Sequence, residues 1–473
     1  MASQSDDDST TAATGRRIPV GQALLALLSL ALAVLIWLSG LQASLERPSV
    51  VNALSLRQRQ LDVLVAEALP PALATTLLGD DPRGALRDEL ERQLAADTTV
   101  PPAVSQRLEL ALLQPQPTAA AALRDLEPSL ERIDPPRRPL LQALINGQPQ
   151  APDQLNRLLA PWRPSPLLAQ LSCERLGGRP ATCLAQVARP PLLLLRFLLV
   201  SVLPIPAVLV GVALLLRQLW LGRRQRLPAA PPLVGPPLEP IDLVLLIAGG
   251  FVVLGEVISP FLLMPLLQNL VQGLAVAPTT AQGLQVLGSY LGLTLPPLLI
   301  LMAQLAGRRP QRPPGGWLQW RWRPLASALR AAAVQLLMVL PVVALAGWLQ
   351  EQLVGDPGGS NPLLELVLTS GDRWALACFA VTATVLAPLF EELLFRGVLL
   401  PAAGRRLGGA WAVLISATVF AIAHLSVGEC LPLLLLGLGL GWLRWRSGRL
   451  APCVLLHALW NGLTFANLIA LGL

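Results

Sequence analysis

Two adjacent carboxylates, Glu391 and Glu392, stand in one of the most apolar stretches of this sequence, and Arg396 follows them. The only two histidines of the chain, His424 and His457, also lie in apolar segments. Ionisable side chains inside membrane-spanning helices are costly, and they usually face the bundle interior, where they mark a site or a pathway. These residues are therefore the first candidates for chemistry.

Helical spacing groups these candidates into polar stripes. Glu392 and Arg396 are four residues apart, so they share one helix face and are predicted to form a supporting pair. Glu391 projects about 100° away from Glu392 and stays free for chemistry. His457 and Asn461 are also four residues apart, which places them on one stripe of a second helix.

A third stripe carries Phe420 and His424. At ~1.5 Å per residue, Glu391 lies ~15 Å and His424 ~22 Å from the same end of their predicted spans. His424 therefore fits a common layer least well, unless its helix is tilted or starts later than predicted.

The residue types predict hydrolysis of a peptide bond by activated water. A carboxylate beside an imidazole can take a proton from water, and His457 and Asn461 can donate hydrogen bonds to a developing oxyanion. On this interpretation no metal or other cofactor is needed. The alternative is a zinc site with Glu391, His424 and His457 as the three protein ligands. The HExxH signature is absent, so three helices would have to assemble it.

The composition is that of a membrane protein. Hydrophobic residues make up 53% of the chain and charged residues only 14%, against roughly 25% charged in soluble proteins. Every basic residue is arginine, and the absence of lysine excludes a P-loop NTPase, a Schiff-base enzyme and a Ser–Lys protease. The arginines cluster at the ends of apolar stretches, which indicates membrane topology and not a nucleic-acid partner.

Hydropathy predicts an all-α bundle of about nine membrane spans. The first runs from Val20 to about Gly40 and follows Arg16 and Arg17, as an uncleaved anchor with a cytoplasmic N-terminus would. Arginine clusters after spans two, four, six and eight then all fall on the cytoplasmic side. The remaining predicted spans are about 190–216, 241–268, 284–305, 325–348, 374–400, 409–427, 431–443 and 451–471.

Residues 46–187 differ from the rest, because they are polar, interrupted by prolines and rich in arginine and glutamate. We expect a small helical domain outside the cytoplasm, between the first two spans. Cys173 and Cys183 fall within it, either as a disulfide or as two free thiols. The predicted organisation is a tail and anchor, the helical domain, a second span with its loop, and a bundle, at residues 1–45, 46–187, 188–230 and 231–473.

Three motifs resemble those of the CPBP (Abi) family of intramembrane proteases, the CAAX-protease and bacteriocin-processing enzymes. They are "EELLFR" from Glu391, "FAIAH" ending at His424 and "HALWN" from His457, in the family's order. The resemblance covers roughly residues 370–473. It implies that Glu391 activates water with His424 as its partner, and that His457 and Asn461 stabilise the oxyanion. Glu392 and Arg396 would support them. The family is often labelled as metalloproteases, although a metal-free glutamate mechanism is the interpretation favoured here.

Two other functions use the same residues differently. Buried Glu and His also mark proton paths in transporters, but no internal repeat or paired broken helix is present in the sequence. A catalytically idle scaffold would not need the intact set of four residues. The expected partners are the lipid bilayer and a membrane-associated peptide or protein, with no nucleic acid. The expected location is the plasma or an internal membrane of a bacterium-like cell. No feature of the sequence decides whether the substrate is prenylated.

Overall fold

A computed structural model describes residues 19–47, 50–96, 103–162, 165–306, 312–355 and 358–472. Within these ranges the chain is helical and contains no strand, which confirms the all-α class. Arg16 and Arg17, which were predicted to orient the first span, lie outside the described residues, as do Arg308 and Arg309 after the fourth.

The first membrane-spanning helix, α1 (Val20–Ser44), begins directly after Pro19. Nine short helices then form the predicted helical domain: α2 (Val50–Ala68), α3 (Pro71–Leu78), α4 (Pro82–Ala96), α5 (Val104–Leu113), α6 (Thr118–Arg124), α7 (Arg138–Asn146), α8 (Pro152–Leu159), α9 (Pro166–Arg175) and α10 (Pro180–Val187). Proline stands at the first or second position of several of them, where its missing N–H costs no helical hydrogen bond.

The bundle that follows is built from long apolar helices. They are α11 (Pro190–Arg223), α12 (Pro240–Gln272), α13 (Pro278–Ala306), α14 (Leu325–Val354), the short α15 (Pro362–Thr369), α16 (Arg373–Leu407), α17 (Gly409–Ile422), α18 (Val427–Ser447) and α19 (Ala451–Leu471). Among the described residues, eight helices are long and apolar enough to cross a membrane. The chain is an integral, multi-pass membrane protein.

The seventh predicted span, 409–427, differs from the structure. Its helix α17 has only 14 residues and ends at Ile422. The chain turns at Leu425, whose φ of 50° is a left-handed conformation. The Ser426 hydroxyl then accepts a hydrogen bond from the backbone N–H of Glu429, which starts α18 four residues earlier than predicted.

The helical domain has a core of its own, formed by apolar residues between Leu108 and Cys183. Cys173 and Cys183 lie within it and form a disulfide, with their Cα atoms 5.7 Å apart. A second apolar cluster crosses from this domain to the bundle. It joins α2 and α4 to α15 and to the ends of α16 and α19, through residues that include Leu64, Phe379 and Leu471. The helical domain therefore packs against α15, α16 and α19.

Candidate active site

Glu391 lies at the middle of α16, in a regular α-helical turn between two π-helical segments, Thr382–Leu386 and Leu393–Leu399. A π-helical turn widens the helix, leaves backbone carbonyls displaced and is common at functional sites. Oε2 of Glu391 lies 3.8 Å from Nε2 of His424 and 3.9 Å from Nε2 of His457. Three separate helices therefore bring the carboxylate and both imidazoles together, as the sequence predicted.

The second carboxylate, Glu392, is fully buried and has a different environment. Its Oε1 accepts a hydrogen bond of 2.7 Å from Nη1 of Arg396, which is also fully buried. The guanidinium also donates to the carbonyl of Gly437 at 3.3 Å and lies over the ring of Phe420 at 4.3 Å. A buried ion pair needs such additional partners to offset its desolvation. This pair therefore joins α16 to α17 and α18.

The imidazole of His457 is oriented by Glu392. Its Nδ1 lies 2.9 Å from Oε1 of Glu392, which can only accept, so Nδ1 carries a proton. When the ring is neutral, Nε2 therefore presents a lone pair towards Glu391. The side chain is 3% exposed, so its orientation is fixed by packing as well as by the hydrogen bond.

His424 reaches the same layer because its helix is short. It lies just beyond the end of α17, where Nδ1 donates to the carbonyl of Phe420 at 2.7 Å. The Phe420 ring packs edge-on against His424, at 4.7 Å between centroids, and against His457 at 5.6 Å. When neutral, both imidazoles would thus direct an unprotonated Nε2 at Glu391.

Asn461 shares the face of His457 on α19, and its amide contacts the backbone of α16. Nδ2 donates to the carbonyl of Ala383 at 2.8 Å, within the first π-helical segment. This contact uses one of the two amide hydrogens and holds α19 against α16. The second hydrogen and the amide oxygen have no partner among the described residues.

Tyr290 is a site residue that sequence reasoning missed. It is the only tyrosine of the chain, and it lies on α13, far in sequence from the three motifs. Its hydroxyl donates to Oε1 of Glu391 at 3.2 Å, and its ring packs edge-on against Phe390. A single tyrosine in an otherwise apolar span was the signal available. With Oε1 occupied, Oε2 of Glu391 is buried and has no hydrogen-bond partner among the described residues.

The distances from Oε2 of Glu391 to Nε2 of His424 and of His457 test whether these three side chains fit a zinc ion. Tetrahedral zinc with N and O ligands at ~2.0–2.1 Å places those ligand atoms about 3.4 Å apart. The observed separations of 3.8 and 3.9 Å are wider, and no group of three or more His, Cys, Asp or Glu in the described residues has metal-site geometry. The spacing suits a water that donates at ~2.8 Å to Oε2 of Glu391 and to one of the two Nε2 atoms.

Comparison with protein families matches two parts of the chain. Residues 373–463 match the family described as "Type II CAAX prenyl endopeptidase Rce1-like". Residues 51–193 match a domain of unknown function, DUF8675. No curated protein and no solved structure gives a match. The first match spans α16 to α19 and contains all six side chains predicted for the site. Residues 373–463 are therefore similar to the Rce1-like, type II CAAX prenyl endopeptidase family.

Proposed function

We propose that the chain is an intramembrane endopeptidase in which Glu391 activates a water molecule. The observation that carries the proposal is the orphaned Oε2 of Glu391, which is buried and faces two imidazole nitrogens at 3.8 and 3.9 Å. A buried carboxylate oxygen without a partner is costly, and a bound water would satisfy it. Such a water would lie against a general base inside the membrane.

In the proposed reaction the water oxygen attacks the peptide carbonyl carbon while Glu391 takes one of its protons. The carbonyl oxygen becomes an oxyanion, and the free amide hydrogen of Asn461 is the available donor towards it. The C–N bond then breaks, and Glu391 returns its proton to the leaving nitrogen. The products are a carboxylic acid and an amine, which become a carboxylate and an ammonium when the acid proton moves to the amine, so atoms and charge balance without a cofactor.

The two histidines position the water in this scheme. Each neutral ring has its proton on Nδ1, committed to Glu392 or to Phe420, so the Nε2 of one ring can accept the second hydrogen of the water. This differs from the role that the family resemblance implied for His457, since a neutral ring with this tautomer has no proton on Nε2 to donate to an oxyanion. His457 would donate from Nε2 only as an imidazolium.

The substrate class follows from the depth of the site. Glu391 is 18 residues from the start of α16 and 16 from its end, or about 24–27 Å from either. The substrate is therefore a membrane-associated peptide or protein. The second candidate mechanism is a zinc-dependent form of the same site. We place the N-terminus in the cytoplasm and the helical domain, with its disulfide, on the opposite side.

The deciding experiment compares Glu391→Gln with Glu256→Gln in proteoliposomes that contain a library of membrane-spanning peptides. Both are intramembrane carboxylates, but Glu256 lies on α12 and outside the site. We expect Glu391→Gln to lower cleavage by at least about 10²-fold and Glu256→Gln to preserve it. Equal cleavage by Glu391→Gln and the wild type would refute the proposal. Loss of activity with a chelator, restored by Zn²⁺, would favour the zinc-dependent alternative.

A further inference from the structure

A second polar site lies away from Glu391, between α11, α14 and α18. A cavity of about 800 Å³ opens there, where α11 and α18 end and α14 begins. Its polar lining comes from three arginines, Arg217, Arg330 and Arg446, together with Gln335 and smaller contributors. Each of the three helices contributes one arginine, so the positive charges converge from separate elements.

These charges are not neutralised within the described part of the protein. None of the residues that line the cavity is acidic. Arg217 and Arg330 are exposed and form no hydrogen bond or ion pair with any described residue. Arg446 donates to the carbonyl of Pro228 and lies over the ring of Trp442 at 5.5 Å. An excess of three positive charges therefore faces one cavity.

Gln335 adds a neutral hydrogen-bonding group to the lining of the cavity. It is only 8% exposed, it lines the cavity, and its amide has no hydrogen-bond partner among the described residues. Its amide atoms are not among the fully buried polar atoms without a partner, so the amide reaches the cavity and can bond to a group that fills it.

The depth and the remaining lining identify the kind of ligand. Arg217 is about 9 Å from the end of α11 and Arg330 about 8 Å from the start of α14, which is headgroup depth in a bilayer. Beside them the cavity is lined by apolar side chains, Leu214, Val334 and Leu443, and by the indole of Trp442. Basic clusters between spans bind lipid phosphates, and tryptophan favours the interface.

We infer that this cavity binds the headgroup of an anionic phospholipid. The guanidinium groups of Arg217, Arg330 and Arg446 would bind its phosphate, the amide of Gln335 would bond to an ester or glycerol oxygen, and the apolar lining would receive an acyl chain. The site is independent of the proposed protease chemistry, because none of its residues contacts Glu391.

Native mass spectrometry of the purified full-length protein tests this, with phosphatidylglycerol and with phosphatidylcholine of the same acyl chains. We expect at least about tenfold tighter binding of the anionic lipid. Arg217→Gln combined with Arg330→Gln should remove that preference. Arg217→Lys combined with Arg330→Lys should retain most of it. The matched control is Arg223→Gln with Arg224→Gln, two exposed arginines at the same end of α11 but outside the cavity.

Three results would overturn the assignment. The first is an undiminished preference for phosphatidylglycerol in the Arg217/Arg330 glutamine variant. The second is an equal loss of the preference for phosphatidylglycerol in the Arg223/Arg224 control, which would mean that binding depends only on net charge. The third is binding of glycerol phosphate as tight as that of the lipid, which would identify a site for soluble phosphate. Melting temperatures of all variants, measured in detergent without added lipid, show whether each one is folded.

Discussion

Glu392 and His457 are joined across two membrane-spanning helices by a hydrogen bond of 2.9 Å, and the same carboxylate oxygen binds Arg396 at 2.7 Å. One buried atom therefore neutralises an arginine and fixes the tautomer of an imidazole. The charge of Glu392 is tied to the fold, whereas the charge of Glu391 remains available to the proposed water. This explains how two adjacent glutamates can have separate roles.

The first prediction separates the two functions of Glu392, which are to neutralise Arg396 and to orient the ring of His457. Glu392→Gln leaves Arg396 as an unpaired buried charge, so we expect the free energy of unfolding to fall by about 3–5 kcal/mol. Combining it with Arg396→Met removes the unpaired charge and should recover most of the melting temperature. Peptide cleavage should stay low in the double variant, since His457 has lost its carboxylate partner. Full recovery of cleavage with stability would show that Glu392 is only structural.

The second prediction concerns Tyr290 as a positioning residue. Tyr290→Phe keeps the ring and its packing against Phe390 but removes the hydrogen bond to Oε1 of Glu391. We expect kcat to fall about tenfold with KM nearly unchanged, because the carboxylate is less well oriented. Steady-state kinetics in detergent measures this, with the melting temperature as the check on folding. An increase in KM with unchanged kcat would assign Tyr290 to substrate binding instead.

The third prediction concerns the pH dependence of stability and rests on the helical domain. Burial raises the pKa of Glu109 to about 7 and that of Asp62 to about 6, although Gln60 and Arg57 oppose the shift at Glu109. The folded protein therefore holds protons that the unfolded chain has released above about pH 4.5. Stability should fall as pH rises from about 4.5 to about 7, by at most about 3–4 kcal/mol for Glu109, and then level off.

Unfolding of the full-length protein in detergent across pH 4.5–8 tests this dependence. Glu109→Gln with Asp62→Asn should flatten the profile, because neither replacement titrates. Glu127→Gln, at an exposed position of the same domain, is the matched control and should leave the profile unchanged. A pH profile in the double variant as steep as in the wild type would assign the dependence to other groups.

The fourth prediction concerns the disulfide. Cys173 and Cys183 are ten residues apart, and closing a loop of that length restricts the unfolded chain by about 2–3 kcal/mol. Replacing both by serine should lower the melting temperature, with kcat changed little. Cys378→Ser, at a free cysteine of α16, provides the control. If the wild-type protein and the double-serine variant had the same melting temperature in both reducing and non-reducing buffer, the disulfide would contribute nothing to stability.

The sequence predicted the helices and the convergence of Glu391, His424 and His457 because few polar residues occur in the apolar segments. It misplaced the boundary between spans seven and eight, since apolar residues surround the turn at Leu425 on both sides. Ser426 and Glu429 have the S-x-x-E spacing of a helix start, and that signal could have located the break. The short α17 is also why His424 reaches the layer of Glu391.

Two features of the site could not be predicted from the motifs. The bond from Asn461 to the carbonyl of Ala383 depends on a π-helical segment, and no residue pattern in α16 indicates one. The contact between Tyr290 and Glu391 joins helices a hundred residues apart, so only the packing of the bundle reveals it. Spacing predicts contacts within one helix, whereas contacts between helices depend on how the whole chain packs.

The apolar cluster shared by α2, α16 and α19 limits how far the chain can be truncated without exposing buried side chains. A fragment trimmed to residues 370–473 would keep every motif but lose the cover over Phe379 and Leu471, which are 1% and 2% exposed in the intact chain. Those side chains would then meet water or foreign protein at the outer ends of the two helices that carry Glu391 and His457. A fragment that keeps these side chains covered must therefore include α2 and be much longer than the three motifs.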